Sequence, residues 1–425
     1  SLRRRQRQMC IRDRFNTQIY FIMNWKGILI TLVFSMVSWG THAENLFVSL
    51  LGKNEEEVNE RLQQVWKHFF TPSDLNRYEA DDEKSVYYEV SNSTAFILDT
   101  GNNDVRSEGM SYGMMISVQL DHREQFDKLW EWSKRNMAFA PDSKWDGYFC
   151  WQCKPDGTKI GGSNASDGEL YYVTALFLAS ERWNEPRYRD EANKILTKVM
   201  IKAGRESGVY NLFDLDNGLI TFVPDHAGHS FTDPSYMLPA FLDKWARTAS
   251  ANRSFWEKAA TASRQHLIAS AHPVTGLYPD YSRFDGRAYA WRHAAYDTSI
   301  YMFDAIRCPI NVGMDYYLCG KDCHRQKAVM YRLLTFFKND GFKHGHFTLD
   351  GSKAFGQYTC GMAGANAVGA ITLAQSNIPE YRELAREYVQ RLWDVKPPTG
   401  KFRYYEGLVY FLSMLHVSGR FSLDF

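Results

Sequence analysis

Long hydrophobic runs are missing from most of this 425-residue sequence. Past residue 43, no apolar stretch reaches the roughly 20 residues that a helix needs to cross a bilayer, so we predict no stable membrane span. Runs of lysine and arginine are also absent after Lys26, and the formal net charge is only +1. Because a nucleic-acid-binding protein is expected to carry a basic patch, nucleic acid is not expected as a partner.

Cysteines are few, and their spacing does not complete a metal site. Cys150 and Cys153 form a C-x-x-C pair, while the further ligands that zinc would need, Cys319, Cys323 and His324, are imperfectly spaced. A disulfide or buried free thiols are the alternatives in an exported protein, and the pairing cannot be read from sequence. We therefore predict no metal and no cofactor.

A low-complexity or proline-rich linker is absent as well, and no clear internal repeat is visible. We interpret residues 1–22 as an artefact or non-native leader. Residues 23–43 have the basic start, short apolar run and small-residue cleavage site of a signal peptide, with a buried N-terminal helix as the alternative. The remaining residues, 44–425, are predicted to form one domain, exported to the periplasm or the extracellular space, with two helical domains as the alternative.

Helical periodicity and aromatic residues are what the sequence has in abundance. Trp, Tyr and Phe make up 15% of the chain, which suits a site for flat sugar rings but also a large helical core. The apolar period predicts twelve helices, at about 58–69, 109–121, 124–138, 168–183, 187–202, 235–249, 253–271, 298–314, 323–338, 361–376, 379–393 and 405–417. Long loops separate them in pairs, so we predict an all-α fold, an (α/α)6 barrel, with short β-hairpins in the loops. The best strand candidate is 219–223.

Three acidic residues have positions that suggest a function: two lie at predicted helix starts, and the third lies in an apolar helical stretch. Glu108 begins one helix and is followed by Gly109 and Gly113, which we interpret as room for a substrate to approach, and Asp167 begins another helix. Asp304 lies in an apolar helical stretch, where an unpaired charge is costly, three residues before Arg307. The alternatives to catalysis are a helix cap for Glu108 and an ion pair with Arg307 for Asp304.

Taken together, the motifs resemble glycoside hydrolase family 8 over nearly all of residues 44–425. Five segments match in order, and they begin at Arg106, Asp167, Thr232, Asp304 and Pro398. The resemblance implies an (α/α)6 barrel and an inverting hydrolysis of β-1,4-linked sugar chains. It implies that Glu108 is the general acid and Asp304 the general base.

The resemblance also implies supporting roles. Asp167 would hold the central sugar in a distorted form, and Tyr236 would lie beside the nucleophilic water. Trp151 and Tyr405 would be aromatic contacts to sugar, with core packing as the alternative for Trp151.

Inversion requires the two carboxyls to lie about 6.5 to 9.5 Å apart. One must be protonated and the other ionised, so we expect an apolar surround and Asp167 to raise the pKa of Glu108, and Arg307 to keep Asp304 ionised.

Residues 86–105 most resemble the family's xylan-active members, above all those that release xylose from the reducing end of oligomers. Such enzymes close the cleft with a histidine-bearing loop, and the equivalent region here, about 351–364, has no histidine. An endo-1,4-β-xylanase therefore stays open, and a glucanase or chitosanase is less favoured. A binding-only protein or a terpene cyclase is disfavoured, because both carboxylates are present and no Asp-rich metal motif is. The predicted partner is a xylo-oligosaccharide or xylan, and the predicted state is a monomer.

Overall fold

The computed structural model describes residues 44–73 and 85–425, so the predicted leader and signal peptide lie outside the described residues. Thirteen α-helices occur in the described part. In chain order, α1 to α13 are Leu46–Ser49, Glu55–Phe70, Ser107–Gln119, Arg123–Trp132, Ser166–Arg182, Pro186–Val199, Pro239–Thr248, Arg253–Ala269, Cys308–Cys319, Cys323–Asp340, Cys360–Ala374, Pro379–Asp394 and Tyr405–Val417. None of these helices is both long and apolar enough to span a membrane.

Six of the helices form a closed inner ring. In ring order, α3, α5, α7, α9, α11 and α13 each contact the next, and α13 returns to α3. Helices α3, α5, α11 and α13 are buried on nearly every face, which explains their almost continuous apolar sequences. The helices α2, α4, α6, α8, α10 and α12 pack outside this ring and bury only one stripe, as α2 does with Val58, Leu62 and Val65. This arrangement is the predicted (α/α)6 barrel.

Short strands lie in the connections between helices. An antiparallel sheet is formed in the order β1 (Tyr87–Ser91), β2 (Thr94–Asp99), β3 (Asp104–Arg106) and β4 (Gln152–Cys153). Its register pairs Arg106 of β3 with Gln152 of β4, directly before α3 begins. A separate hairpin pairs β5 (His346–Phe347) with β6 (Ala354–Phe355). The sheet therefore braces the chain on the N-terminal side of α3.

Three predicted elements differ from the structure. The helix predicted at 298–314 begins only at Cys308, after a 3-10 turn at Ala305–Arg307, and Pro309 lies in its first turn, where proline is well tolerated. Asp304 consequently precedes the helix instead of lying inside it. The strand predicted at 219–223 is reduced to a single bridge between Ile220 and Phe213. The helix predicted from 235 begins at Pro239, after a 3-10 turn at Pro234–Tyr236.

Candidate active site

The predicted site residues converge at one end of the inner ring. Glu108 and Asp167 lie in the first turns of α3 and α5, and Tyr405 is the first residue of α13. Arg307 immediately precedes α9, and Tyr236 lies in the 3-10 turn before α7. Because the N-termini of helices favour negative charge, this end of the barrel suits a group of carboxylates.

Arg307 is the centre of the group. The structure places this buried guanidinium in contact with the carboxyls of four residues, three of which are distant from it in sequence. Nη1 lies 2.9 Å from Glu108 Oε2 and 2.8 Å from Asp167 Oδ2. Nη2 lies 2.9 Å from Asp304 Oδ1 and 3.6 Å from Asp233 Oδ2. One guanidinium thus bridges the predicted acid and base, which is compatible with the separation of about 6.5 to 9.5 Å that inversion requires.

Further hydrogen bonds hold the Arg307 guanidinium in place. Nη1 also donates to the Tyr112 hydroxyl at 3.0 Å, and Nη2 donates to Ser235 Oγ at 2.9 Å. Tyr112 lies on α3 and Ser235 lies in the turn before α7, so the contacts reach both sides of the ring. The orientation of Arg307 is therefore set by the barrel itself.

One cation facing four carboxyls leaves an excess of negative charge, and protons must offset it. Burial, with the nearby Asp167 and Asp304, raises the pKa of Glu108 to about 7, while Arg307 lowers it. Burial also raises the pKa of Asp304, with Arg307 again opposing, and it raises that of Asp233 well above its ordinary value. Glu108 is therefore substantially protonated near neutral pH, as a general acid must be.

Tyr404, which the sequence analysis missed, completes the surroundings of Glu108. Its buried hydroxyl donates to Glu108 Oε1 at 3.0 Å. This contact explains Gly109: a Cβ there would lie 2.3 Å from Tyr404 Cε2. The interpretation that this glycine makes room for substrate is therefore wrong, because the space is occupied by the Tyr404 ring. Tyr404 directly precedes Tyr405, the predicted sugar contact, and this adjacency is the feature of the sequence that points to Tyr404 as a further site residue.

As the helix-cap alternative expects, Glu108 lies in the first turn of α3, but its carboxyl is engaged elsewhere. The residue at the cap position of α3 is Arg106, which makes no side-chain cap hydrogen bond, and the Glu108 oxygens bond Tyr404 and Arg307. The ion-pair alternative for Asp304 is present, since Arg307 contacts it. Asp304 nevertheless keeps 24% of its side chain exposed, so solvent can reach it.

The remaining predicted residues lie around this centre at different depths. Tyr236 is buried, with its ring 5.6 Å from the Arg307 guanidinium. The Tyr405 hydroxyl donates to the carbonyl of Phe303, next to Asp304, at 2.7 Å. Trp151 is half-buried, and its carbonyl accepts the Ser107 N–H at 3.0 Å, one residue before Glu108. Trp151 therefore lies near Glu108, while Tyr405 contacts the residue next to Asp304.

The zinc ligands considered from sequence are not assembled into a site. No disulfide joins the cysteines of the described residues, and Cys153 lies in β4 while Cys150 lies two residues before that strand. Within the described ranges, one group has ligand spacing for a metal, namely Asp243, Asp315 and Cys319. Its carboxylates already pair with Arg264 at 2.8 Å and 2.5 Å, and Lys321 adds a second cation, so a metal ion is not favoured there.

Comparison with known proteins adds independent findings. A family model described as glycosyl hydrolases family 8 matches residues 87–419. The reducing-end xylose-releasing exo-oligoxylanase Rex8A of Paenibacillus barcinonensis is 36% identical over 90% of this chain and 97% of its own length. A reducing end xylose-releasing exo-oligoxylanase of Halalkalibacterium halodurans is 34% identical over 90% of this chain and 94% of its own length. Endoglucanase A of Acetivibrio thermocellus is 25% identical over 87% of this chain and 72% of its own length.

Solved structures give the same picture. A crystal structure of a reducing-end-xylose releasing exo-oligoxylanase complexed with xylose superposes with a TM-score of 0.80 at 33% identity, covering 90% of this chain and 98% of the other. The structure of Rex8A from Paenibacillus barcinonensis complexed with xylose superposes with a TM-score of 0.79 at 35% identity, covering 89% and 97%. The prediction of the family and of its barrel fold is confirmed.

Proposed function

Because the chain belongs to glycosyl hydrolases family 8, we propose that it hydrolyses β-1,4-xylosidic bonds of xylo-oligosaccharides with inversion, releasing xylose from the reducing end. The observation that carries this proposal is the bridge that Arg307 makes between Glu108 and Asp304. An inverting glycosidase needs one protonated and one ionised carboxyl, on opposite faces of the scissile bond. The substrate class is supported by the similarity to enzymes named as exo-oligoxylanases at 34% to 36% identity over most of the chain.

In this mechanism, Glu108 donates its proton to the leaving glycosidic oxygen while Asp304 takes a proton from the attacking water. Negative charge therefore disappears from Asp304 as it appears on Glu108. Arg307 contacts both carboxyls, so it stays paired with one negative charge throughout the reaction. The Tyr404 hydroxyl stabilises Glu108 once it is ionised. A proton returns from Asp304 to Glu108 through solvent before the next turnover.

Asp167 and Tyr236 support the reacting centre. Asp167 is buried and shares Nη1 of Arg307 with Glu108, while its Oδ1 accepts the Gly168 N–H at 3.0 Å and keeps a second lone pair for a sugar hydroxyl. Burial raises the pKa of the Tyr236 phenol, and the nearby carboxylates of Asp167, Asp233 and Asp304 raise it further. The phenol therefore stays protonated and can donate to or accept from the attacking water.

A hairpin beside the base supports action at a chain end. His346 on β5 has its ring 5.2 Å from that of Phe303, the residue before Asp304, and 5.2 Å from that of Phe355 on β6. Phe303 and Phe355 are each 43% exposed, which suits contact with a sugar face. The region 351–364, where the resemblance places such a histidine, has none, and His346 lies five residues before it. We propose that this hairpin closes the cleft beyond one xylose on the leaving-group side.

The test is product analysis on xylotriose, reduced xylotriose, polymeric xylan and carboxymethylcellulose. We expect xylose from xylotriose and little from the other three, because reduction destroys the end that is recognised. Internal fragments from polymeric xylan would instead establish an endo-xylanase, and cleavage of the cellulose derivative alone would refute the xylan assignment. Glu108→Gln and Asp304→Asn should each lower kcat by about 10² to 10⁴-fold. The exposed Glu380→Gln serves as a matched control.

Export and a monomeric state are further proposals. Export rests on the signal-peptide pattern of residues 23–43, and fractionation of cells expressing the full chain tests it. Recovery of the protein in the cytoplasm with those residues intact would contradict it. Light scattering on the purified protein tests the monomer.

A further inference from the structure

A carboxyl outside the predicted site holds the turn that carries Asp304. Asp280 lies in the loop before that turn and is fully buried. Its Oδ1 accepts hydrogen bonds from the backbone N–H groups of Met302, at 3.2 Å, and Ala305, at 3.0 Å. Its own N–H donates to the carbonyl of Ile300 at 3.0 Å. One carboxyl oxygen therefore binds backbone on both sides of Asp304.

We propose that Asp280 is a positioning residue for the general base, fixing the backbone around Asp304 and thereby the place of its carboxylate relative to the attacking water. This inference rests on the proposed function, because it takes Asp304 as the base. Residues 302–304 precede the helix and belong to no strand, so individual contacts hold them: besides Asp280, the Tyr405 hydroxyl donates to the Phe303 carbonyl and the Arg307 N–H donates to the Asp304 carbonyl. An error of about 1 Å in the place of a reacting group can lower the rate by about 10²-fold.

The charge state of Asp280 fits a positioning role. Burial and the neighbouring Asp304 raise the pKa of Asp280 to about 8, against hydrogen bonds from Ala305, Met302 and Tyr296, which lower it. Near neutral pH its carboxyl is therefore mostly protonated, and Oδ1 still accepts both N–H groups. A neutral Asp280 adds no second negative charge beside Asp304. The other titratable groups facing it are the phenols of Tyr281 and Tyr301 and the thiol of Cys308.

Two substitutions separate positioning from general support of the fold. Asp280→Ala removes the acceptor, and we expect kcat on xylotriose to fall by about 10²-fold while KM changes by less than about threefold. Asp280→Asn keeps a carbonyl oxygen in place and resembles the protonated acid, so it should recover most of that loss. The control is Asp214→Ala, because Asp214 Oδ1 also accepts two backbone N–H groups, those of Asp216 and Asn217, in another loop. Its kcat should be native.

The outcomes divide clearly. Native kcat in Asp280→Ala, or an equal loss in Asp280→Asn, overturns the inference, because the acceptor oxygen would then not set the rate. If Asp280→Ala does not fold, Asp280→Glu displaces the same oxygen by one methylene, and native kcat in that variant overturns the inference. Asp304→Asn separates a failure of the positioning role of Asp280 from a failure of the proposed function. Native activity in Asp304→Asn refutes the proposed function itself. An inactive Asp304→Asn beside a fully active Asp280→Ala refutes only the role of Asp280.

Discussion

Replacing Tyr404 by Phe should move the alkaline limb of the pH profile to higher pH. The Tyr404 hydroxyl donates to Glu108 Oε1 at 3.0 Å and lowers the pKa of that carboxyl, which is about 7. Phe keeps the ring that packs against Gly109 and removes only the donor. Without it, the ionised form of Glu108 loses a hydrogen bond and its pKa rises. Since the acid works in its protonated form, activity should persist to higher pH.

The size of the shift follows from the energy of the lost contact. A hydrogen bond to a charged group contributes about 1.5 to 3 kcal/mol, and one pH unit corresponds to about 1.4 kcal/mol. The Glu108 side chain is 17% exposed, so solvent replaces part of the loss. We therefore expect the alkaline limb of the pH profile to move up by about one pH unit, which corresponds to the lower end of the energy range for a charged hydrogen bond.

The assay is kcat/KM for xylose release from xylotriose between pH 5 and 9, because this ratio reports the pKa values of the free enzyme. At pH 5.5, Glu108 is protonated in both proteins, so their rates should differ by less than tenfold. Tyr388→Phe is the control, since it removes a buried hydroxyl that donates to the Leu334 carbonyl, away from the carboxyls. An unmoved limb, or one at lower pH, refutes the assignment of Glu108 as the acid.

Three further substitutions test the surroundings. Arg307→Met leaves buried carboxyls without their cation and should cost about 3 to 5 kcal/mol of stability. Because Arg307 lowers the pKa values of Glu108 and Asp304, its removal raises them further above their unfolded values, so the loss should grow as the pH rises toward 8 in urea unfolding, and a pH-independent loss contradicts this. Gly109→Ala should improve helix propensity yet lower kcat by about tenfold or more, because Tyr404 must move; native kcat contradicts it. Trp151→Ala should raise KM for xylotriose by about threefold to tenfold, and a change confined to kcat would contradict a sugar-binding role.

Local patterns predicted the helices well, because each inner or outer helix carries its own apolar signature. The stripe of Val58, Leu62 and Val65 lies on the buried face of α2, and the acid and glycine at 108 and 109 do mark the start of α3. The helix predicted over 298–314 begins too late, at Cys308, for a particular reason. Asp280, 25 residues before Ala305, accepts its N–H and holds the chain in a turn, and no local pattern reports a contact of that kind.

The site itself was only partly predictable for the same reason. Arg307 and Asp304 are three residues apart, so their pairing could be anticipated. The contacts of Arg307 and Tyr404 with Glu108 join residues 199 and 296 positions apart, and only the closure of the barrel brings them together. Sequence motifs therefore identified the carboxyls, while the groups that set their protonation became visible in the fold.

The most direct test of the account is the anomeric form of the newly released reducing end, followed by NMR during the first minutes of hydrolysis of xylotriose. Water delivered by Asp304 to the face opposite the leaving group, with Glu108 as the acid, predicts that the new reducing end appears first as the α-anomer and only later mutarotates. Appearance of the β-anomer first would mean retention through a covalent intermediate. That result would contradict the roles assigned to Glu108, Asp304 and the arginine between them.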